Sequence, residues 1–108
     1  MTQITLNWIF LSLAIISEVI ATSALKASNG FTVLSPSLIV VAGYISTYYF
    51  LSLSLRTIPI GIAYAIWSGV GLLFVSLIGL YLYDQVLDKI TILGMAFIIL
   101  GVVIVNLS

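Results

Sequence analysis

The chain has 108 residues, 63% of them apolar, and only six charged side chains: three Lys+Arg and three Asp+Glu, with no His. A soluble domain carries about a quarter charged residues; a 6% share excludes a water-soluble globule, and the high hydrophobicity excludes disorder. Zero net charge gives nucleic acid no electrostatic hold, and without Cys or His there is neither a disulfide framework nor an ordinary zinc ligand set.

An integral membrane protein remains, and a spanning helix takes about 20 residues. Four spans and three short loops use the whole length. The first apolar run covers about 4–25 and stops at Lys26-Ala27-Ser28-Asn29-Gly30, a polar stretch ending in glycine. An acid inside the run and the lack of a basic flank argue against a cleaved signal. Ser35-Pro36 reads as an N-cap followed by a first-turn proline, opening a second run over about 36–55. Pro59 blocks continuation, so a third run spans about 60–83. Asp84-Gln85-Val86-Leu87-Asp88-Lys89 is the most polar hexamer and reads as a loop before the fourth run, about 90–107. Unbroken apolar stretches such as Leu72-Leu73-Phe74-Val75 do not alternate as barrel strands do. The expected fold is an all-α membrane protein, one domain of four transmembrane helices.

Five charges fall in loops or at helix ends. Glu18 does not: it lies about 14 residues into the first helix, roughly 20 Å along it. A carboxyl in hydrocarbon costs several kcal/mol when charged and facing lipid, so its default reading is an ion or substrate site. The bland alternative is a neutral Glu bonded to a neighbouring helix. Positions three and four away share its face: Ala14, Ile15, Ala21 and Thr22. Small residues there let a helix or a ligand come close. Lys26, eight residues on, is about 12 Å away along the axis and is no fixed partner. A buried carboxyl without a cation favours its neutral form. Such a group takes a proton and yields it to an arriving cation, which is proton-coupled cation transport.

On the second helix Tyr44, Thr47, Tyr48 and Leu51 share a face; on the third, Tyr64, Trp67, Ser68 and Gly71 do. Trp8, Tyr81 and Tyr83 lie near helix ends, as interfacial aromatics do. The mid-span rings are either core packing or the walls of a receptor for an organic cation, with π-faces beside a carboxylate. Gly69 and Gly71 weaken the third helix locally and read as a hinge. Gly94, Ile98 and Gly101 form one stripe on the fourth helix, either a packing seam or ordinary membrane-helix glycine enrichment. Lys26 and Lys89 fall on one side of the membrane and Arg56 on the other with both ends of the chain. That bias of one residue barely sets orientation. Copies inserted both ways could pair antiparallel, giving the inverted symmetry on which alternating access is commonly built.

These residues resemble the small multidrug resistance family of bacterial transporters. The likeness is carried by Glu18-Val19-Ile20-Ala21-Thr22, by Leu25-Lys26 with Ser28 and Gly30-Phe31, by Pro36-Ser37, by Gly94, Gly101 and Asn106, and above all by the run from Ile58 to Gly71, with Ile62-Ala63-Tyr64-Ala65-Ile66-Trp67-Ser68-Gly69-Val70-Gly71 at its heart. The resemblance implies an antiparallel homodimer in the bacterial inner membrane, needing no cofactor, that exports lipophilic and quaternary ammonium cations against protons. It implies that Glu18 binds proton and cation, and that Ala14, Ile15, Ala21, Thr22, Tyr44, Thr47, Tyr48, Tyr64, Trp67 and Ser68 line the chamber. It places a hinge at Gly69 and Gly71 and a dimer seam along Gly94 and Gly101. The chain departs from the family pattern with Ala21 where glycine is common, Tyr48 where Phe is common, and Val86 where a basic residue is frequent. A sister branch exports guanidinium, but usually carries Trp where Ala21 stands and Trp-Thr-Gly where this chain has Trp67-Ser68-Gly69. A non-transporting membrane helper is a third reading, and an enzyme is not expected.

Overall fold

The computed structural model describes residues 2–107. It holds four helices, α1 (Gln3–Ala27), α2 (Leu34–Ser54), α3 (Ile60–Leu82) and α4 (Lys89–Leu107). Each is long and apolar enough to cross a membrane. The Thr2 hydroxyl caps α1 by accepting from the Thr5 backbone N–H. The cap of α2 is Val33, with no side-chain bond, and not the expected Ser35. The helix starts at Leu34, so Ser35 and Pro36 both lie in the first turn. Proline costs nothing there, because first-turn N–H groups have no helical acceptor. Between α1 and α2 the chain reverses through three successive left-handed residues, Asn29, Gly30 and Phe31. Asn and Gly adopt that region readily, whereas Phe31 carries a strain of about 1 kcal/mol. Ahead of α4, the Asp88 carboxylate accepts from the Thr91 backbone N–H at 2.7 Å. The Thr91 hydroxyl and this N–H hold Asp88 below the usual carboxylate range.

Helix α1 packs on both α2 and α3, and α4 joins through α3. The result is a slab, 41 × 34 × 20 Å. Lipid tails remove the hydrophobic drive for helices to associate, so close van der Waals packing must hold them. The buried residues of α1 are Asn7, Leu11, Ala14 and Ala21. Glu18 completes their 4-3-4-3 spacing. The buried residues of α2 are Val40, Thr47, Leu51 and Ser54, and half-buried Tyr44 completes the same spacing there. A repeat of 3.5 residues keeps two helices in register along a left-handed crossing. Glycine tightens the seam: a Cβ on Gly43 would stand 2.7 Å from the Ala21 Cβ and 3.1 Å from the Ser17 carbonyl oxygen. Helix α3 instead buries Ala63, Trp67 and Gly71, four apart along one ridge toward α1, and also Gly69 under α4 and Gly79 under Gln85. Among the described residues, α4 buries none. Its Met95, Ile99 and Val103 face Leu73, Leu77 and Leu80 of α3 across an apolar groove of about 640 Å³.

Candidate functional site

Glu18 stands on the seam where α1 meets both neighbours. Its Oε1 accepts from the Thr22 hydroxyl at 2.9 Å, one turn on. The Thr22 oxygen is 2.6 Å from the Tyr44 hydroxyl of α2. A hydroxyl has one proton to give, so with Thr22 donating to Glu18, Tyr44 donates to Thr22. The other carboxyl oxygen, Oε2, is buried without a hydrogen-bond partner, the one such side-chain atom among the described residues. It lies against α3 at Gly71, where an added Cβ would come within 2.5 Å of it. An unpaired buried carboxyl oxygen is costly unless a proton or cation completes it.

One turn back along α1, the aromatic residues gather round Trp67. Its indole N–H donates to the Thr47 hydroxyl at 2.9 Å, and that hydroxyl donates to the Ala14 carbonyl at 2.5 Å. One side chain from each of α2 and α3 is thus tied to the backbone of α1. Trp67 is 7% exposed and packs with Leu11, Ala14, Leu51, Ile58 and Ala63, with Ile15 against the edge of this cluster. The rings of Tyr64 and Tyr48 lie 5.2 and 5.9 Å from it, centroid to centroid. Both are more than half exposed and leave ring surface open beside the buried Trp67. Lipophilic cations are held by such faces.

The structure therefore brings Glu18, Thr22, Tyr44 and Gly71 together, with Ala21 packed beneath them against Gly43. It brings Ala14, Thr47, Tyr48, Tyr64 and Trp67 together beside them. Ser68 stays apart: it is exposed, and its hydroxyl bonds back to the Tyr64 carbonyl at 2.8 Å. Gly69 and Gly71 are helical, and α3 runs unbroken through both. They face opposite ways, Gly71 toward Glu18 and Gly69 toward α4, where a Cβ would meet the Val102 side chain. Nothing within 4 Å faces Gly94 or Gly101, and Ile98 between them is exposed.

Two features escaped the sequence reading. Gly43 is one, although the nearby Tyr44 and Thr47 were on the right face. The other is Asn7, fully buried, which accepts from Gln3 at 2.7 Å and donates to Thr57 at 2.9 Å, tying α1 to the α2–α3 loop. The spacing of Asn7, Leu11, Ala14 and Glu18 was the signal for it. Among the described residues, no three metal-ligating side chains gather.

Residues 6–98 match the family model described as small multidrug resistance protein. The chain is 54% identical over 101 residues to the quaternary ammonium compound-resistance protein QacF of Klebsiella aerogenes, covering 94% of this chain and 92% of that one. It is 53% identical over the same length and shares to QacE of Escherichia coli, another quaternary ammonium compound-resistance protein. It is 42% identical over 102 residues to the multidrug resistance protein EbrA of Bacillus licheniformis, covering 94% of this chain and 97% of that one.

Proposed function

The chain belongs to the small multidrug resistance family, a family of transporters, and on that premise we propose that it is a proton-coupled antiporter exporting lipophilic and quaternary ammonium cations. It is a multi-pass protein of the bacterial inner membrane. Its relatives' quaternary ammonium resistance supports the substrate class. The observation that carries the mechanism is Glu18: an acid within a span, with one oxygen held by Thr22 and the other buried and unpartnered. A proton or a cation can complete that oxygen, and one site cannot hold both. The two ligands compete, and a gradient of one drives the other. Tyr48 and Tyr64, beside Trp67, supply faces for the apolar part of the cation. Ala14, Ile15, Ala21, Thr22, Tyr44 and Thr47 complete the chamber, Ser68 lies outside this group on the exposed side of α3, and Gly69 and Gly71 are the hinge.

A slab with its acid at a helix seam encloses no chamber. A second copy, antiparallel and joined along Gly94, Ile98 and Gly101, supplies the other wall and a second Glu18. The open faces of those glycines support this assembly. Guanidinium export, the sister activity, is disfavoured by Ala21, which is wholly buried against Gly43 and leaves no room for the tryptophan usual in that branch. Catalysis of a reaction is not proposed, since the chain has no His or Cys to pair with a nucleophile.

The test is Glu18→Gln in proteoliposomes. The amide keeps the shape and cannot ionise, so proton-driven uptake of tetraphenylphosphonium should vanish, along with proton release on binding. In the unaltered protein, lowering the pH should weaken tetraphenylphosphonium binding, because protons then occupy Glu18. Wild-type transport by the Gln variant, or guanidinium carried in preference to tetraphenylphosphonium, would sink this reading.

A further inference from the structure

The Thr22 hydroxyl has a second side. Thr22 also lines a cavity of about 80 Å³ between α1 and the end of α3, whose polar wall is Thr22, Ser23, Lys26, Tyr83 and Gln85 and whose other wall is Val75, Ile78 and Gly79 of α3. Gly79 lets the Gln85 side chain lie against α3, since a Cβ there would stand 2.7 Å from the Gln85 side-chain oxygen. The loop is drawn over the cavity by Tyr83, whose hydroxyl donates to the Ser23 carbonyl at 2.6 Å and whose ring lies 5.7 Å from the Lys26 ammonium. Lys26 and Gln85 are exposed, whereas Thr22 and Ser23 are half-buried. The cavity thus descends from the charged rim of the span to the residue that holds Glu18.

Size decides what can use it. Water takes about 30 Å³ per molecule in the liquid, and a buried water needs two to four polar partners; Thr22, Lys26 and Gln85 offer them, while the Ser23 and Tyr83 hydroxyls donate to the Val19 and Ser23 carbonyls. A drug-sized ligand needs a pocket of roughly 300 Å³ or more. We propose that this cavity is a proton inlet to Glu18, separate from the path of the organic cation. The proposal rests on the reading of Glu18 as the proton-exchanging group. Thr22 gives its one proton to Glu18 and uses one lone pair for Tyr44, so one lone pair is left for a water. On loading, a cavity water passes a proton to the Thr22 oxygen as the Thr22 proton moves to Glu18 Oε1, and the water regains a proton from the bulk. Unloading reverses each transfer. The net change is one proton between bulk and Glu18. The titratable groups facing this route are Lys26 and Tyr83 at the cavity and Tyr44 at Thr22.

Two substitutions test the inlet without touching Glu18, Thr22 or the aromatic faces. Ser23→Leu fills the cavity from α1, and Gln85→Leu removes the polar group at its exposed mouth. Full-length protein in detergent and weak buffer is mixed with tetraphenylphosphonium, and a pH dye follows proton release. Both variants should bind the cation within twofold of wild type and release as many protons, at least tenfold more slowly. Unchanged rates at full amplitude would overturn the inlet alone. A drop in cation affinity would also overturn it, by assigning the cavity to the drug site. No proton release from the wild-type protein would instead defeat the antiport reading. If Ser23→Leu does not fold, Gln85→Leu decides by itself.

Discussion

Two pairs of glycines, seven or fewer residues apart within each pair, sit on adjacent helices and meet different surroundings. On α3, Gly69 and Gly71 are both buried, one under Val102 and the other under the Glu18 carboxyl. On α4, Gly94 and Gly101 face open space. The same residue type therefore does different work. On α3, glycine clears room for a side chain already present. On α4, it leaves a flat stripe that this chain does not fill. What separates the pairs is the surface opposite, not the glycines.

Substitution should expose the contrast. Gly71→Ala puts a Cβ 2.5 Å from Glu18 Oε2. That oxygen ends a flexible side chain, so the helix should survive and the carboxyl should move. Tetraphenylphosphonium affinity should fall by about 3 kcal/mol, roughly a hundredfold, with helical content unchanged. Calorimetry alongside circular dichroism checks both. Wild-type affinity would mean that Glu18 does not work from this position.

Gly43→Ala sharpens the comparison from the other direction. Its Cβ meets a Cβ and a backbone oxygen, which cannot swing away. The α1–α2 seam must open, at about 2 kcal/mol of stability. Denaturation in mixed micelles would register it, and an unshifted curve would show that the seam yields freely.

Gly101→Leu should leave the single subunit intact, because nothing stands within 4 Å. In the proposed dimer it should weaken pairing by about 1.4 kcal/mol, or tenfold. Energy transfer between labelled copies in liposomes measures this. A subunit that unfolds on this change would erase the distinction between the two pairs.

The smallest effect concerns the start of α4. The Asp88 carboxylate is held by Thr91 below the ordinary aspartate range. A carboxylate favoured in the folded state stabilises it above its unfolded value, and the help is lost as pH falls through the lowered value. Asp88→Asn should therefore fray the first turn of α4 at neutral pH and match wild type in strong acid. Hydrogen exchange at Thr91 and Ile92 follows it; equal exchange at all pH values would count against the cap.

Composition and punctuation made the four spans legible. Pro59, the polar stretch from Lys26 to Gly30 and the hexamer from Asp84 to Lys89 interrupt the apolar runs and mark their ends. Glu18 was legible because an acid inside a span has few other reasons to be there. The division among the aromatic residues was not. Tyr48, Tyr64 and Trp67 fit one periodic pattern, yet Trp67 alone is turned inward, because its N–H finds Thr47. Spacing reports which face a ring is on, not which partner its polar atom reaches. Gly43 stayed hidden for a related reason: its importance lies in how closely Ala21 and the Ser17 carbonyl of α1 approach it across the seam, and spacing on one helix does not report the distance to another.

That α4 buries none of its described residues has a consequence for dosage. A helix that buries nothing within its own chain draws its packing from whatever covers it, and that partner is supplied by mass action. In the proposed dimer, sparse subunits are mostly unpaired, and doubling their density in the membrane quadruples the pairs. Drug tolerance should climb more steeply than expression while copies are few, then bend over once most are paired. A titratable promoter with single-cell survival would trace that curve, and strict proportionality from the lowest dose would point to a subunit that works alone.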